Sequence, residues 1–221
     1  MTDVSPPLPP VTATATERAY AHTRARVLDG SYATGALITE GEVSEAVGVS
    51  RTPVREAFLR LQAEGWLRLY PKRGALVVPV SAAEIDDVIE TRGMVERFAV
   101  EKVLASGRHR EVGARLRESV AAQRRLRRSP EPFTEADRDF HGLVVAATGN
   151  QVLADLYGAL RDRQLRMGVR ALLGDPQRVD RILDEHAALA EAIAAGDRDA
   201  ALASVAHHLR GTEEALRRAG R

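Results

Sequence analysis

The 221-residue chain is predicted to be mainly α: an N-terminal winged helix-turn-helix domain followed by an all-α six-helix bundle. Three observations predict it. Gly48-Val49-Ser50 separates a short helical pattern from a longer one with a basic front edge, Arg51 to Leu61. Directly after it, Trp66 to Tyr70 alternates like a strand, Pro71-Lys72-Arg73-Gly74 turns, and Ala75 to Val78 returns. From Ser81 onward the apolar residues recur only at helical spacing, with Gly, Pro and Asn as punctuation.

Composition bounds the function classes. Lys plus Arg nearly equals Asp plus Glu, for a net charge of +1, so nucleic-acid binding has to be argued from local patches. The absence of cysteine excludes disulfides and thiolate chemistry and fits a reducing compartment. No stretch has the apolar length of a membrane span, and the amino end lacks a signal-peptide pattern, so a cytoplasmic protein is expected. Few aromatics among many Ala, Leu, Arg and Glu favour helix.

In chain order, residues 1–14 are rich in Pro, Thr and Ala without period, and are expected to be a disordered arm. Residues 15–79 form the first domain. A helix runs from about Ala15 to Leu28, with Ala21, Val27 and Leu28 inward, and Asp29-Gly30 ends it. Thr39-Glu40-Gly41-Glu42 has capping-box spacing and opens a short helix with Val43, Ala46 and Val47 inward. Ser50 is placed to cap the next helix with its side-chain oxygen, and Pro53 falls where a missing N–H is harmless. Val54, Ala57, Phe58 and Leu61 give that helix one apolar face.

Arg51, Thr52 and Arg55 crowd its amino end. A helix dipole favours acids there, so two arginines call for an external anion. Phosphates or guanine edges met in a major groove would supply it, which makes double-stranded DNA the expected partner. Lys72 and Arg73 at the hairpin tip could touch phosphate, and Gly74 could permit close backbone approach. The competing reading is a helical hairpin and turn with solvated charges. The string Ser50-Arg51-Thr52-Pro53-Val54-Arg55-Glu56 resembles the opening of the recognition helix in the GntR family of bacterial regulators, over about Ala19 to Val78. One departure is Gly41, where the family often carries an arginine.

Residues 80–221 form the second domain, with helical patterns at about 82–106, 110–128, 134–148, 151–173, 176–195 and 197–219. Polar residues inside apolar stripes mark its site, because their burial requires partners. Arg92 interrupts the stripe Ile85, Val88, Ile89, Val95, Ala99, with Glu96 one turn on. His186 interrupts Val179, Ile182, Leu183, Leu189, Ile193, and Asp137 and His141 lie four apart on one helix edge. By the 100° step, His208 falls nearer an inward stripe than His207. Asp137, His141, His186 and His208 could therefore enclose a divalent transition metal with open positions. Separately satisfied core histidines are the alternative.

The order Asp137-x-x-x-His141, Gly149-Asn150, His186, Ala192-Ile193-x-x-Gly196-Asp197, His208-Leu209 resembles the FCD ligand-binding domain, from Ser81 to about Leu216. That domain defines the FadR-like branch of the GntR family. The resemblance implies that these four residues bind an ion, with zinc, nickel or manganese expected. Six helices rather than seven resembles the VanR type. It also gives Arg92 the role of gripping a small organic acid bidentately beside the metal, against the alternative of an Arg92–Glu96 pair. Asn150 is either an effector contact or a helix cap.

The function expected is a homodimeric, cytoplasmic transcriptional regulator, a repressor, binding a pseudo-palindromic operator under control of a small carboxylic acid. Two rivals stand beside it: a metal-dependent hydrolase, and a metal-free regulator answering to a long acyl chain.

Overall fold

The computed structural model describes residues 13–175 and 177–219. The arm expected over 1–14 lies, apart from Ala13 and Thr14, outside the described residues. The chain divides into two compact units, Met1–Pro79 and Val80–Arg221.

The first unit holds α1 (Ala15–Leu28), β1 (Leu37–Ile38), α2 (Glu40–Val47), α3 (Arg51–Ala63), β2 (Leu67–Tyr70) and β3 (Gly74–Val77). Thr14 and Glu17 form a capping box for α1, and Thr39 and Glu42 one for α2. Gly48 then ends α2 in the left-handed region, at φ +68°. Val54, Ala57, Phe58 and Leu61 of α3 are fully buried, at about 1.5–3 kcal/mol for each large side chain removed from water. Three expectations fail locally. Ser50 is extended at the α3 N-cap, but its side chain makes no capping hydrogen bond. Ala21 and Ala46 are exposed; Ala19 and Thr23 are buried on α1 beside Leu28, and Val43 alone on α2. Thr23 can be buried because its hydroxyl donates to the Ala19 carbonyl at 2.8 Å.

The wing is a three-stranded antiparallel sheet of order β1-β3-β2, with Leu37 opposite Leu76 and Leu67 opposite Val77. β1 escaped the sequence reading, since two residues are too short to show a period. It explains Gly74. At φ +104°, a Cβ there would stand 2.3 Å from the Ile38 carbonyl oxygen. The glycine thus permits a close approach to the protein's own strand.

The second unit has seven helices among the described residues rather than six: α4 (Ala82–Ala105), α5 (His109–Leu126), α6 (Pro130–Ala146), α7 (Gln151–Gly158), α8 (Arg161–Gly174), α9 (Arg178–Ala195) and α10 (Arg198–Ala219). The pattern expected as one helix over 151–173 is α7 plus α8. Ala159 and Leu160 keep right-handed dihedrals at the break, and Leu160 N–H bonds back three residues to Tyr157 at 3.2 Å. Such a tightened turn needs neither Pro nor a polar cap, so the sequence did not signal it. The count removes the basis for likening the bundle to the six-helix VanR type. α6 also starts four residues earlier than expected, because Pro130 and Pro132 both fall in its first turn.

The core of this unit runs through α4, α5, α6, α9 and α10, with Phe133, Phe140, Leu116, Leu189 and Ile193 at its centre. A smaller cluster joins Ile85 and Val88 of α4 to Met167, Ala171, Ala215 and Leu216. Between these two apolar bodies sits a layer of buried polar groups.

Candidate DNA-binding face and candidate metal centre

In the first unit, Arg51 and Arg55 on the first turns of α3 are exposed and share a cleft of about 770 Å³ with Lys72, Arg73 and Gly74 of the wing. Thr52 is exposed but does not line that cleft. α3 has no acid in its first turn. Among the described residues, none of Arg51, Arg55, Lys72 and Arg73 is ion-paired, whereas many other arginines are. Lys72 holds a left-handed φ of +62°, uncommon for a side-chain-bearing residue, at the wing tip. Gln62 Oε1 accepts from the Leu69 amide at 2.9 Å and ties the wing to α3. Gly41 leaves open the space beside the Arg51 guanidinium, 3.5 Å from where its Cβ would be. The result is a cationic edge and a cationic tip, fixed relative to each other.

In the second unit, Asp137, His141, His186 and His208 come together from α6, α9 and α10. One ligand atom from each lies within 4.8 Å of all the others. His207 is exposed, as the 100° step required. Each buried imidazole has an oxygen at its Nδ1, within hydrogen-bonding geometry at His186 and His208 and at ion-pair distance at His141. His141 Nδ1 stands 2.9 Å from Glu96 Oε2, His186 Nδ1 2.8 Å from Gln123 Oε1, and His208 Nδ1 2.7 Å from Glu185 Oε2. The Nε2 atoms are thereby turned toward one another. His141 and His208 Nε2 are 3.1 Å apart, and His186 Nε2 is 3.3 Å from Asp137 Oδ1. His186 Nε2 and Asp137 Oδ1 are buried without a hydrogen-bond partner among the described residues. Phe140 stacks on the His186 ring at 4.0 Å and fixes its plane.

These residues fit a metal ion. Ligands at about 2.0–2.1 Å from one ion stand roughly 3.0–3.4 Å from each other; the His141–His208 and His186–Asp137 pairs have that separation, and all four donors lie within 4.8 Å of one another. Nδ1–H bonded to a carboxylate or amide oxygen selects the tautomer whose Nε2 lone pair is free to ligate. Burial first, then the adjoining imidazoles and Arg92, holds the His186 and His208 imidazoles well below their ordinary pKa, so both are neutral. Burial raises the Asp137 carboxyl, partly offset by His141 and Arg92.

Arg92 is buried, and its Nε donates to Glu96 Oε1 at 2.7 Å, so the expected ion pair exists. Burial alone would raise the Glu96 carboxyl, but Arg92 and then His141 outweigh it and hold it well below the carboxylate range. Tyr157 adds a hydrogen bond to the same oxygen at 2.7 Å. Arg92 also faces a small cavity of about 30 Å³ that Asp137, Gln164, Arg178 and Thr212 line with apolar neighbours. Arg92 Nη2, Arg178 Nε and Gln164 Nε2 are all buried there without an acceptor among the described residues. Asn150 does not line this cavity. It caps α7, accepting from the Leu153 amide at 3.1 Å, the helix-cap reading of the two expected for it. Gln123, Glu185, Arg178 and Gln164 escaped sequence reading, because a buried polar residue announces a role only once its neighbours are known.

A winged helix-turn-helix with an unpaired basic edge, followed by a helical bundle with a buried polar site, is the architecture of a DNA-binding regulator. Comparison with known families agrees. The model for bacterial regulatory proteins of the gntR family matches residues 15–77, and that for the FCD domain matches residues 87–211. The chain belongs to the GntR family of transcriptional regulators and carries an FCD domain. It is similar over 202 residues to an HTH-type transcriptional regulator in an unstable DNA locus of Streptomyces ambofaciens, at 29% identity, covering 90% of this chain and 84% of that one. Over 200 residues it is 29% identical to the galactonate operon transcriptional repressor of Escherichia coli K12, covering 80% and 85%. A solved GntR structure from Rhodococcus sp. RHA1 superposes with a TM-score of 0.68 at 22% identity, over 91% of this chain and 96% of that one, which bears on the fold. The family consists of regulators, so the hydrolase alternative is set aside.

Proposed function

We propose that this regulator is a homodimeric repressor whose grip on a pseudo-palindromic operator is set by a small organic acid, bound beside a divalent transition metal at Asp137, His141, His186 and His208. The convergence of three Nε2 atoms, each aimed by a partner on Nδ1, carries the reading. Zinc, nickel and manganese all accept imidazole and carboxylate ligands, and the donor set does not choose among them. When bound, the metal supplies a Lewis-acidic centre for a carboxylate oxygen. Beside it, Arg92 Nη2, Arg178 Nε and Gln164 Nε2 offer donors in need of acceptors, which an oxygen-rich anion provides and an acyl chain does not. The resemblance to a galactonate operon repressor points in the same direction, toward hydroxy acids.

The acid changes operator affinity only through a difference in its affinity for two arrangements of the dimer. Operator and acid therefore weaken each other's binding by the same factor, on the order of 5- to 150-fold. The test is an operator titration of metal-loaded protein against a panel of small carboxylates, galactonate included, with wild type and Arg92→Lys. Lysine keeps a cation for Glu96 but loses the second guanidinium nitrogen. Loss of the response with effector-free binding intact is expected. Equal release of both proteins by an active acid would reduce Arg92 to a partner of Glu96.

A further inference from the structure

Resting on the reading of α3 as the helix laid in a major groove, we propose that Leu59 is a further specificity-determining residue, packing on the 5-methyl group of one thymine in each operator half-site. Leu59 is 51% exposed, whereas the stripe Val54, Ala57, Phe58 and Leu61 of the same helix is fully buried. By the 100° helical step, Leu59 points within about 20° of Thr52 and away from that stripe. The flank of α3 toward α1 is closed from within. Glu56 accepts from the Thr16 hydroxyl at 2.8 Å, and Arg60 pairs with Glu64 at 3.0 Å and lies over the Tyr20 ring. The other flank carries Arg51 and Arg55, which line the cleft beside the wing and have no ion pair among the described residues. Thr52 and Leu59, both exposed, stand between the two flanks.

A single exposed leucine is ordinary on a protein surface; the setting distinguishes this one. The unpaired guanidiniums beside it are complementary to a polyanion, and Leu59 continues their face, so whatever meets Arg51 and Arg55 also meets its isobutyl group. The floor of a major groove displays donors, acceptors and one apolar group, the thymine methyl. An isobutyl group set over a phosphate or a base amide strips water from a polar group and returns no hydrogen bond. Set over a methyl, it removes apolar surface of both partners from water. Spacing narrows the position. Leu59 follows Arg55 by four residues, about 6 Å at a helical rise of about 1.5 Å. With base pairs about 3.4 Å apart, the thymine falls roughly two steps from the base that Arg55 reads.

The test uses the full chain and an operator duplex selected with it from a random library. Fluorescence anisotropy gives affinity, and thermal unfolding is the fold control. Each thymine is replaced in turn by uracil, which removes one methyl and leaves the hydrogen-bonding edge unchanged. One position in each half-site should weaken wild-type binding about fourfold, the ratio that corresponds to about 0.8 kcal/mol for one buried methyl. Leu59→Ala should bind the thymine operator more weakly and random DNA nearly as wild type does, and it should lose its sensitivity to uracil at that position alone. Leu59→Met keeps an apolar side chain of similar reach and should keep the sensitivity. Wild type indifferent to every uracil, a uracil penalty that Leu59→Ala retains, or a selected half-site without thymine would each overturn the proposal. The reading of α3 fails separately: unchanged operator affinity in Arg51→Ala/Arg55→Ala would remove it and this proposal with it.

Discussion

His141 and His208 face each other through Nε2 at 3.1 Å while Glu96 and Glu185 occupy their Nδ1 positions. With a carboxylate at each Nδ1, both Nε2 atoms are directed at one another. A cation shared between them would turn that approach into ligation.

The histidine anchors should therefore matter nearly as much as the ligands. Glu185→Gln and Gln123→Leu are each expected to lower metal affinity by about 10- to 100-fold without removing a ligand. His186→Ala should empty the site. At a free metal concentration 100 times the dissociation constant, bound metal stabilises the fold by about 2.7 kcal/mol, so chelation should lower the melting temperature of wild type but not of His186→Ala. Elemental analysis with paired melting curves decides it; equal metal content in wild type and His141→Ala/His186→Ala would remove the centre.

The metal-stripped protein should lose stability on acidification. His186 and His208 have depressed pKa values in the folded state, against an ordinary value of 6.5. Below about pH 6.5 the unfolded chain takes up protons that the folded one refuses, so stability falls as pH drops through that window. The raised carboxyl of Asp137 acts in the opposite sense and reduces the slope. Melting temperatures of chelated protein between pH 8 and pH 5 should decline. A flat profile would mean that the imidazoles are not buried as neutral groups.

Operator recognition should divide between α3 and the wing. Arg51→Ala and Arg55→Ala are each expected to weaken operator binding by about 1–3 kcal/mol, and random DNA by less. Lys72→Ala should weaken both DNAs alike and reduce the salt slope by about one. Fluorescence anisotropy across a salt series measures all three. Unchanged operator affinity in Arg51→Ala/Arg55→Ala would exclude α3 from base reading.

Gly74→Ala should damage the wing itself. Its left-handed φ and the 2.3 Å approach to the Ile38 carbonyl together make about 1–3 kcal/mol or more of destabilisation the expected result. Thermal unfolding of the variant reads it directly. Full stability combined with lost DNA affinity would return the glycine to a DNA-contact role.

How far the sequence carried depends on the range of the forces involved. The helices of the first unit, the wing hairpin and the helical character of the second unit follow from local periodicity and caps, such as Thr39 with Glu42 and the left-handed Gly48. The four converging residues were legible for a similar reason. A polar side chain such as His186 inside an apolar stripe has to be buried, and helical phase says so without any knowledge of its neighbours. The break at Ala159-Leu160 was not legible, because both residues keep helical dihedrals and only hydrogen bonding changes.

By itself, then, the sequence determined which elements form, which faces turn inward and which end of α3 is cationic, since propensity, period and charge are properties of neighbours along the chain. The tertiary structure decided what those faces meet. Glu185 and Gln123 became supports for His208 and His186 across 23 and 63 residues of chain. Gly74 became a packing necessity only when Ile38 arrived, and Arg92 came to share Glu96 with His141 and Tyr157 while facing a cavity. Hydrogen bonds and close packing act over a few ångströms in space at any separation in sequence, so their partners exist only after the chain has folded.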